Sequence, residues 1–276
     1  MKVLLKMESA KLMAGVVEAT ETLVEEASVK IAPDEGLSLA ALDPAKTAMV
    51  QVFLPRDFFA EFDVEDTVFV GVNFTELARI LKRAKRRDGL EIELLDESRL
   101  AIRLVGDYRR EFILPTIAGE PVELRRLKVE FTAGIRIDSK RFPDIVKDLK
   151  MMGAEMEIYI DQERAEFKAR SERGESVVTI GREDPVALDI WADQPARSLY
   201  SMAYLERLTK PASISPELTI EIASDRPLKM FYSLGGIEQA GITYYLANMT
   251  PPAVSYTHLR AHETEADLVC RLLLEK

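Results

Sequence analysis

The stretch LEIELLDESRLAIRLV, starting at Leu90, and the stretch LTIEIASDRPLKMFYS, starting at Leu218, carry one apolar pattern. Aligned without gaps, Leu90, Ile92, Leu94, Leu100 and Ile102 face Leu218, Ile220, Ile222, Leu228 and Met230. Alternation at period two predicts a strand, a turn and a strand in each. Just upstream, LARILKRAK from Leu77 and MAYLERLTK from Met202 both have helical spacing. Earlier still, VLLKME precedes AKLMAGVVEATETLVEEA, and FTAGIRID precedes KRFPDIVKDLKMMG, a strand before a helix in both cases. A chain that repeats strand, helix, strands, helix, strands is confined to a duplicated α+β architecture. The halves meet at LPTIAGEPVELRRLKV, where Pro and Gly interrupt any regular pattern. The expected division is 1–116, a connector at 117–129, 130–252, and a tail at 253–276.

The tail breaks the pattern. VSYTHLRAHET and LVCRLLLEK back-translate into two constant blocks of a transposon sequencing adapter, spaced as if around a variable index. Val254 to Lys276 therefore reads as a cloning or assembly scar and is set aside from fold reasoning. It holds both histidines, His258 and His262, and the only cysteine, Cys270. Three potential ligands without a CxxC partner make an incomplete zinc set. Setting the tail aside removes His-based acid–base chemistry, Ser–His triads and Cys nucleophiles together. One cysteine leaves no internal disulfide, which suits a reducing cytosol. No apolar run reaches the roughly 20 residues of a membrane span, and no secretory leader is expected at the start.

The formal net charge is −10, and it remains −9 without the tail's three basic and four acidic residues. Against that background, NFTELARILKRAKRRD carries Arg79, Lys82, Arg83, Lys85 and Arg86. On a helix running through this segment, Phe74, Leu77, Ile80, Leu81 and Ala84 would lie on one side, and Arg79, Lys82, Arg83 and Arg86 on the other. Lys147 and Lys150 fall on the third helix, Arg207 and Lys210 on the fourth. The first offers only Lys11 among Glu18, Glu21, Glu25 and Glu26. A single charged helix face is usually just solvated. Three basic ones among four repeat-related helices suit a phosphate backbone bound without reading sequence.

GLSLAALDPAKTAMVQVFLP, FFAEFDVEDTVFVGVNFTELARILKRAK, FILPTI and the closing ITYYLAN occur in the order and spacing of a known family. Over residues 1 to about 250 the chain resembles the archaeal sliding DNA clamps, the proliferating cell nuclear antigen family. The resemblance implies the DNA clamp fold: a ring of three subunits and six similar domains, helices lining a central hole and sheets forming the outer wall. It implies a processivity factor that encircles double-stranded DNA and tethers replication and repair enzymes, with no catalytic residues, cofactor or metal. By position, Arg79, Lys82, Lys147 and Lys210 match the family's inward-facing cations, and Lys11 matches less closely. Arg83, Lys85, Arg86, Lys150 and Arg207 are added from helical spacing.

The family docks polymerase, clamp loader, flap endonuclease and DNA ligase through a short motif with a 3-10 turn and an aromatic plug. The matching pocket positions are Leu42, Lys46 and Met49; Val122, Leu124 and Leu127 of the connector; Pro227; and Tyr245, Ala247 and Asn248. Asn248 stands where the family usually has proline, and the connector is unusually basic (Arg125, Arg126, Lys128). Subunits in the family pair edge strands, which here are expected in DYRREFIL and ESVVTIG, with Tyr108, Arg110, Phe112, Ser176 and Val178 at the contact. The resemblance also implies an archaeal cytoplasm, on the nucleoid. Two alternatives stay open: a subunit of a heterotrimeric or checkpoint-type ring, and a metal-dependent enzyme using carboxylates such as Asp34, Glu35, Asp43, Glu65 and Asp66.

Overall fold

A computed structural model describes residues 2–121, 129–237 and 239–249. The first half runs β1 (Val3–Met7), α1 (Ala10–Glu21), β2 (Glu26–Ala32), β3 (Gly36–Leu42), β4 (Ala48–Leu54), β5 (Glu61–Val64), β6 (Val68–Asn73), α2 (Phe74–Leu81), β7 (Gly89–Asp96), β8 (Arg99–Val105) and β9 (Arg109–Pro115). After a short β10 (Ile117–Ala118), the second half runs β11 (Ala133–Asp138), α3 (Arg141–Lys150), β12 (Glu155–Ile160), β13 (Arg164–Ser171), β14 (Gly174–Gly181), β15 (Ala187–Ala192), β16 (Ala196–Ser201), α4 (Met202–Leu208), β17 (Glu217–Ile222), β18 (Leu228–Ser233) and β19 (Gly241–Leu246). A 3-10 turn at Lys210–Ser213 follows α4.

The strands repeat the duplication. In the first half they order as β5-β1-β7-β8-β9 and β6-β2-β3-β4; in the second, as β15-β11-β17-β18-β19 and β16-β12-β13-β14. Raising every index by ten converts one half into the other. The register keeps the aligned residues together: Ile92 lies opposite Ile102 as Ile220 lies opposite Met230. All ten apolar residues that define the repeat are buried. Burying such a side chain contributes roughly 1.5–3 kcal/mol, which explains why this pattern dictates the sheets.

The halves share one sheet because β4 pairs antiparallel with β19, from Ala48 opposite Leu246 to Phe53 opposite Gly241. A second contact lies between α1 and the 3-10 turn. A Cβ at Gly15 would sit 2.4 Å from Ile214 Cγ2, so only glycine admits this approach. The helices then follow one another side by side as α2, α1, the 3-10 turn, α4 and α3. Each turns an apolar stripe to the sheets, for example Phe142, Ile145, Val146 and Leu149 of α3.

Two helices are shorter than their sequences suggest. α1 stops at Glu21, and Glu26 already belongs to β2. α2 begins where Asn73 Oδ1 accepts the Glu76 amide at 2.9 Å, a cap worth about 1 kcal/mol, but it ends at Leu81. Further helix would stack Lys82 on Arg86 and Arg83 on Arg87 as like charges four apart. Instead the Arg83 and Ala84 amides reach back three residues, to Ile80 O and Leu81 O at 3.0 Å each. Arg83, Lys85 and Arg86 therefore leave the helix and sit on the exposed segment leading to β7.

Candidate nucleic-acid interface and docking surface

Asp88, only 3% exposed, organises that segment. Its Oδ2 accepts the Lys85 amide at 2.6 Å and pairs with the Arg110 guanidinium. Arg110 also donates to Arg83 O at 3.0 Å. The Tyr108 ring lies under Lys85 Nζ at 5.0 Å and beside Arg110 at 5.5 Å. Two residues expected at the subunit contact thus also fasten the end of α2 within their own chain.

On the helix row the expected cations are exposed, yet several are tied to carboxylates. Lys82 lies 3.7 Å from Glu21, and Lys210 lies 3.8 Å from Glu18, both acids on α1. Arg79 meets Glu76 at 3.1 Å, and Lys150 meets Glu206 at 2.7 Å. Arg207 donates to Thr22 O at the end of α1. Lys147 and Lys210 come together with Lys140 along an open groove between α3, α4 and the 3-10 turn. Among the described residues, Lys147 has no carboxylate within ion-pair reach, and neither has Lys11. Lys85 and Arg86 line a separate concavity with Arg87 and Gly106. The expected cations therefore form a row along the helices with an outlying group at the α2–β7 segment. Exposed pairs of this kind add little stability, but they fix how many cations stand free for an anionic ligand.

Of the expected docking positions, Leu42, Met49 and Tyr245 lie side by side at one end of β3, β4 and β19. Leu42 lies opposite Met49, and Met49 opposite Tyr245. Leu42 is 54% exposed, whereas Met49 and Tyr245 are buried. The turn between β3 and β4 places Lys46 at φ 56°. Ala247 continues the seam by donating its amide to Thr47 O at 2.9 Å. Pro227 lies beside the turn into β18, where Tyr200 Oη donates to Arg226 O at 3.0 Å. Asn248 is half-buried. Val122, Leu124 and Leu127 lie outside the described residues, as do Arg125, Arg126 and Lys128 and the adapter-like tail.

Sequence reading missed what holds this turn. Asp43 Oδ1 accepts the amides of Thr47 and Ala48 at 2.7 Å each. Its Oδ2 accepts the Ala45 amide at 3.3 Å and the Tyr204 hydroxyl of α4 at 2.7 Å. Burial opposes the charge, but the Ala48 amide, the Tyr204 hydroxyl and the other amides more than offset it, holding Asp43 below its ordinary 3.8. The hydrogen bond to Asp43, with desolvation, raises Tyr204 in turn. An aspartate starting DPAKT was the available signal, since Asp caps turns through the amides that follow it. Asp43 is thus a structural anchor and not the metal ligand of the carboxylate alternative. Glu35 of that alternative pairs with Lys30 at 2.7 Å. Among the described residues no three metal-ligating side chains converge, and no helix is long and apolar enough to cross a membrane.

Residues 3–111 match the family model for the N-terminal domain of proliferating cell nuclear antigen, and 127–249 match that for its C-terminal domain. The chain belongs to the DNA sliding-clamp family. The DNA polymerase sliding clamp of Thermococcus fumicolans is 30% identical over 240 residues, covering 87% of this chain and 95% of the relative. DNA polymerase sliding clamp 1 of Pyrobaculum aerophilum is 32% identical over 241 residues, covering 86% and 94%. The fold matches that of the crystal structure of the Thermococcus kodakaraensis antigen with a TM-score of 0.84 at 24% identity, over 90% of this chain and all of the other. It also matches a chain of the PCNA2–PCNA3 complex from Sulfolobus tokodaii with a TM-score of 0.81 at 24% identity, over 89% and 98%. The clamp is accordingly an archaeal-type, non-enzymatic processivity factor for a DNA polymerase.

Proposed function

We propose that this clamp closes into a homotrimeric ring around double-stranded DNA and slides on it without reading sequence. The observation carrying this reading is the unequal use of equivalent strands. Within the chain, β4 and β19 close the seam between halves. Among the described residues, their repeat equivalents, β14 and β9, each have a neighbour on one side only. Copying the inner seam onto them sets Phe112 opposite Ser176 and Arg110 opposite Val178, because Ile102–Phe112 corresponds to Met230–Tyr244 and Phe167–Val178 to Leu39–Val52. Such a head-to-tail contact has no self-complementary stop, so it adds copies in one direction and ends in a ring where the rotation closes. Closure would also remove two exposed strand edges, each a liability in a free monomer. Tyr108 extends the same edge.

In the ring, the helix row with Lys11, Arg79, Lys82, Lys147, Lys150, Arg207 and Lys210 faces the duplex, with Arg83, Lys85 and Arg86 outlying. Topology does the holding, so modest phosphate contacts suffice. Leu42, Lys46, Met49, Pro227, Tyr245, Ala247 and Asn248, with Val122, Leu124 and Leu127, receive the short motifs of polymerase, clamp loader, flap endonuclease and DNA ligase. Residues 1–116 and 130–252 act as the two ring domains and 117–129 as their connector, on the nucleoid in the archaeal cytoplasm. Likeness to a subunit of a two-component complex favours a heteromeric ring as the second reading. Light scattering of the purified chain tests both. A mass of three subunits, with stimulation of a polymerase on primed circular DNA, supports the homotrimer. A monomer that stimulates only with other subunits present supports the heteromer, and a monomer inactive in both settings overturns the clamp reading.

A further inference from the structure

We propose that Tyr204 is a positioning residue for the docking surface: its hydroxyl, reaching across from the second half, fixes the Asp43-centred turn that presents Leu42 and Lys46. The inference rests on the docking reading above and adds a residue that lies on a helix of the DNA-facing row.

The β3–β4 turn is closed by its backbone, with the Lys46 amide donating to Asp43 O and the Asp43 amide to Ala48 O at 2.9 Å each, and is shaped further by the Asp43 side chain. Lys46 stands at φ 56°, a left-handed conformation that a side chain with a Cβ enters only when its surroundings impose it. The Asp43 carboxylate adds to those bonds by holding Ala45 and Thr47, the residues on either side of Lys46, and its two oxygens are served unequally. Oδ1 has two amides at 2.7 Å. Oδ2 has one long contact, the Ala45 amide at 3.3 Å, and one short one, the Tyr204 hydroxyl at 2.7 Å. Without the hydroxyl, a nearly buried anionic oxygen keeps only the long contact. A buried charge left so poorly satisfied turns toward water, and rotation of the carboxylate releases the amides that shape the turn.

Tyr204 is itself held in place. Its ring carries the Arg207 guanidinium at 5.3 Å, and Arg207 donates to Thr22 O at the end of α1. Two residues of α4, one helical turn apart, thus grip the first half at two points, and one grip ends on the turn beside Leu42.

The test uses the full chain and a fluorescently labelled peptide carrying a 3-10 turn and an aromatic plug. Tyr204→Phe removes one oxygen and leaves the ring under Arg207. Expected results are peptide binding weakened about tenfold, in line with loss of a hydrogen bond to a charged group, and faster hydrogen exchange at the Thr47 and Ala48 amides. The assembled mass and duplex DNA binding should stay unchanged. A Leu42→Ala control separates the two layers of the reading. If Leu42→Ala weakens the peptide and Tyr204→Phe does not, the positioning role is overturned and the docking reading stands. If neither weakens it, the docking reading fails and takes the inference with it. If Tyr204→Phe lowers mass, DNA binding and peptide binding together, the hydroxyl serves general stability and the inference is overturned.

Discussion

Glu18 and Glu21 decide how basic the helix row is in practice. They stand 3.8 Å from Lys210 and 3.7 Å from Lys82, two of the cations proposed to face DNA. A phosphate reaching either lysine competes with a carboxylate already present. The arrangement suits sliding, since every step along the duplex must break the contacts of the last. Glu18→Gln with Glu21→Gln should therefore tighten binding to duplex DNA. It should also steepen the fall of log affinity with log salt by up to about 0.9 for each further phosphate that a lysine neutralises. A salt titration by fluorescence anisotropy reads both, and an unchanged slope would show that the two lysines do not meet phosphate. The acids were visible in the sequence as an acidic first helix. Their partners were not, because Lys82 and Lys210 come from other elements and meet α1 only after packing.

At the scale of elements, the end of α2 shows how local and tertiary forces divide. Its start is written locally, in an asparagine cap followed by an apolar stripe. Its end depends on Asp88 and on Arg110, which arrives from β9. The Arg110 side chain is 19% exposed and that of Asp88 is 4% exposed, so removing the arginine strands a buried carboxylate. Arg110→Ala should destabilise the clamp by about 3 kcal/mol, measured by chemical denaturation, and loosen the segment bearing Arg83, Lys85 and Arg86. A change within error would mean that Asp88 is satisfied by the Lys85 amide alone. Helical spacing placed Arg83 and Arg86 on a helix face and added Lys85, because spacing does not register the pairing of Asp88 with Arg110, 22 residues away.

For the whole molecule, duplication makes a prediction in register. If β9 and β14 meet between copies as β19 and β4 meet within one, Glu111 faces Val177, just as Thr243 faces Gln51. Directly paired residues in antiparallel strands bring their Cα atoms about 4.5–5.5 Å apart, within disulfide range. In a Cys270→Ser background, Glu111→Cys combined with Val177→Cys should oxidise into a covalent ring of three chains on a non-reducing gel. Either single change should give none. Cross-linking at Val178 in place of Val177 would shift the register and overturn the copied seam.

The sequence alone determined the doubling and the order of elements within each half, because both follow from the spacing of apolar residues that must be buried. The family was legible in longer stretches such as GLSLAALDPAKTAMVQVFLP, and the cations and apolar positions proposed for DNA and docking were chosen from it by residue type. Only the tertiary structure decided which cations are already paired, where α2 stops, and that Asp43 is an anchor served by Tyr204. Each of those depends on a charge or hydrogen bond between residues far apart in the chain. Periodicity describes a residue's neighbours along its own element, whereas packing chooses its neighbours from the others.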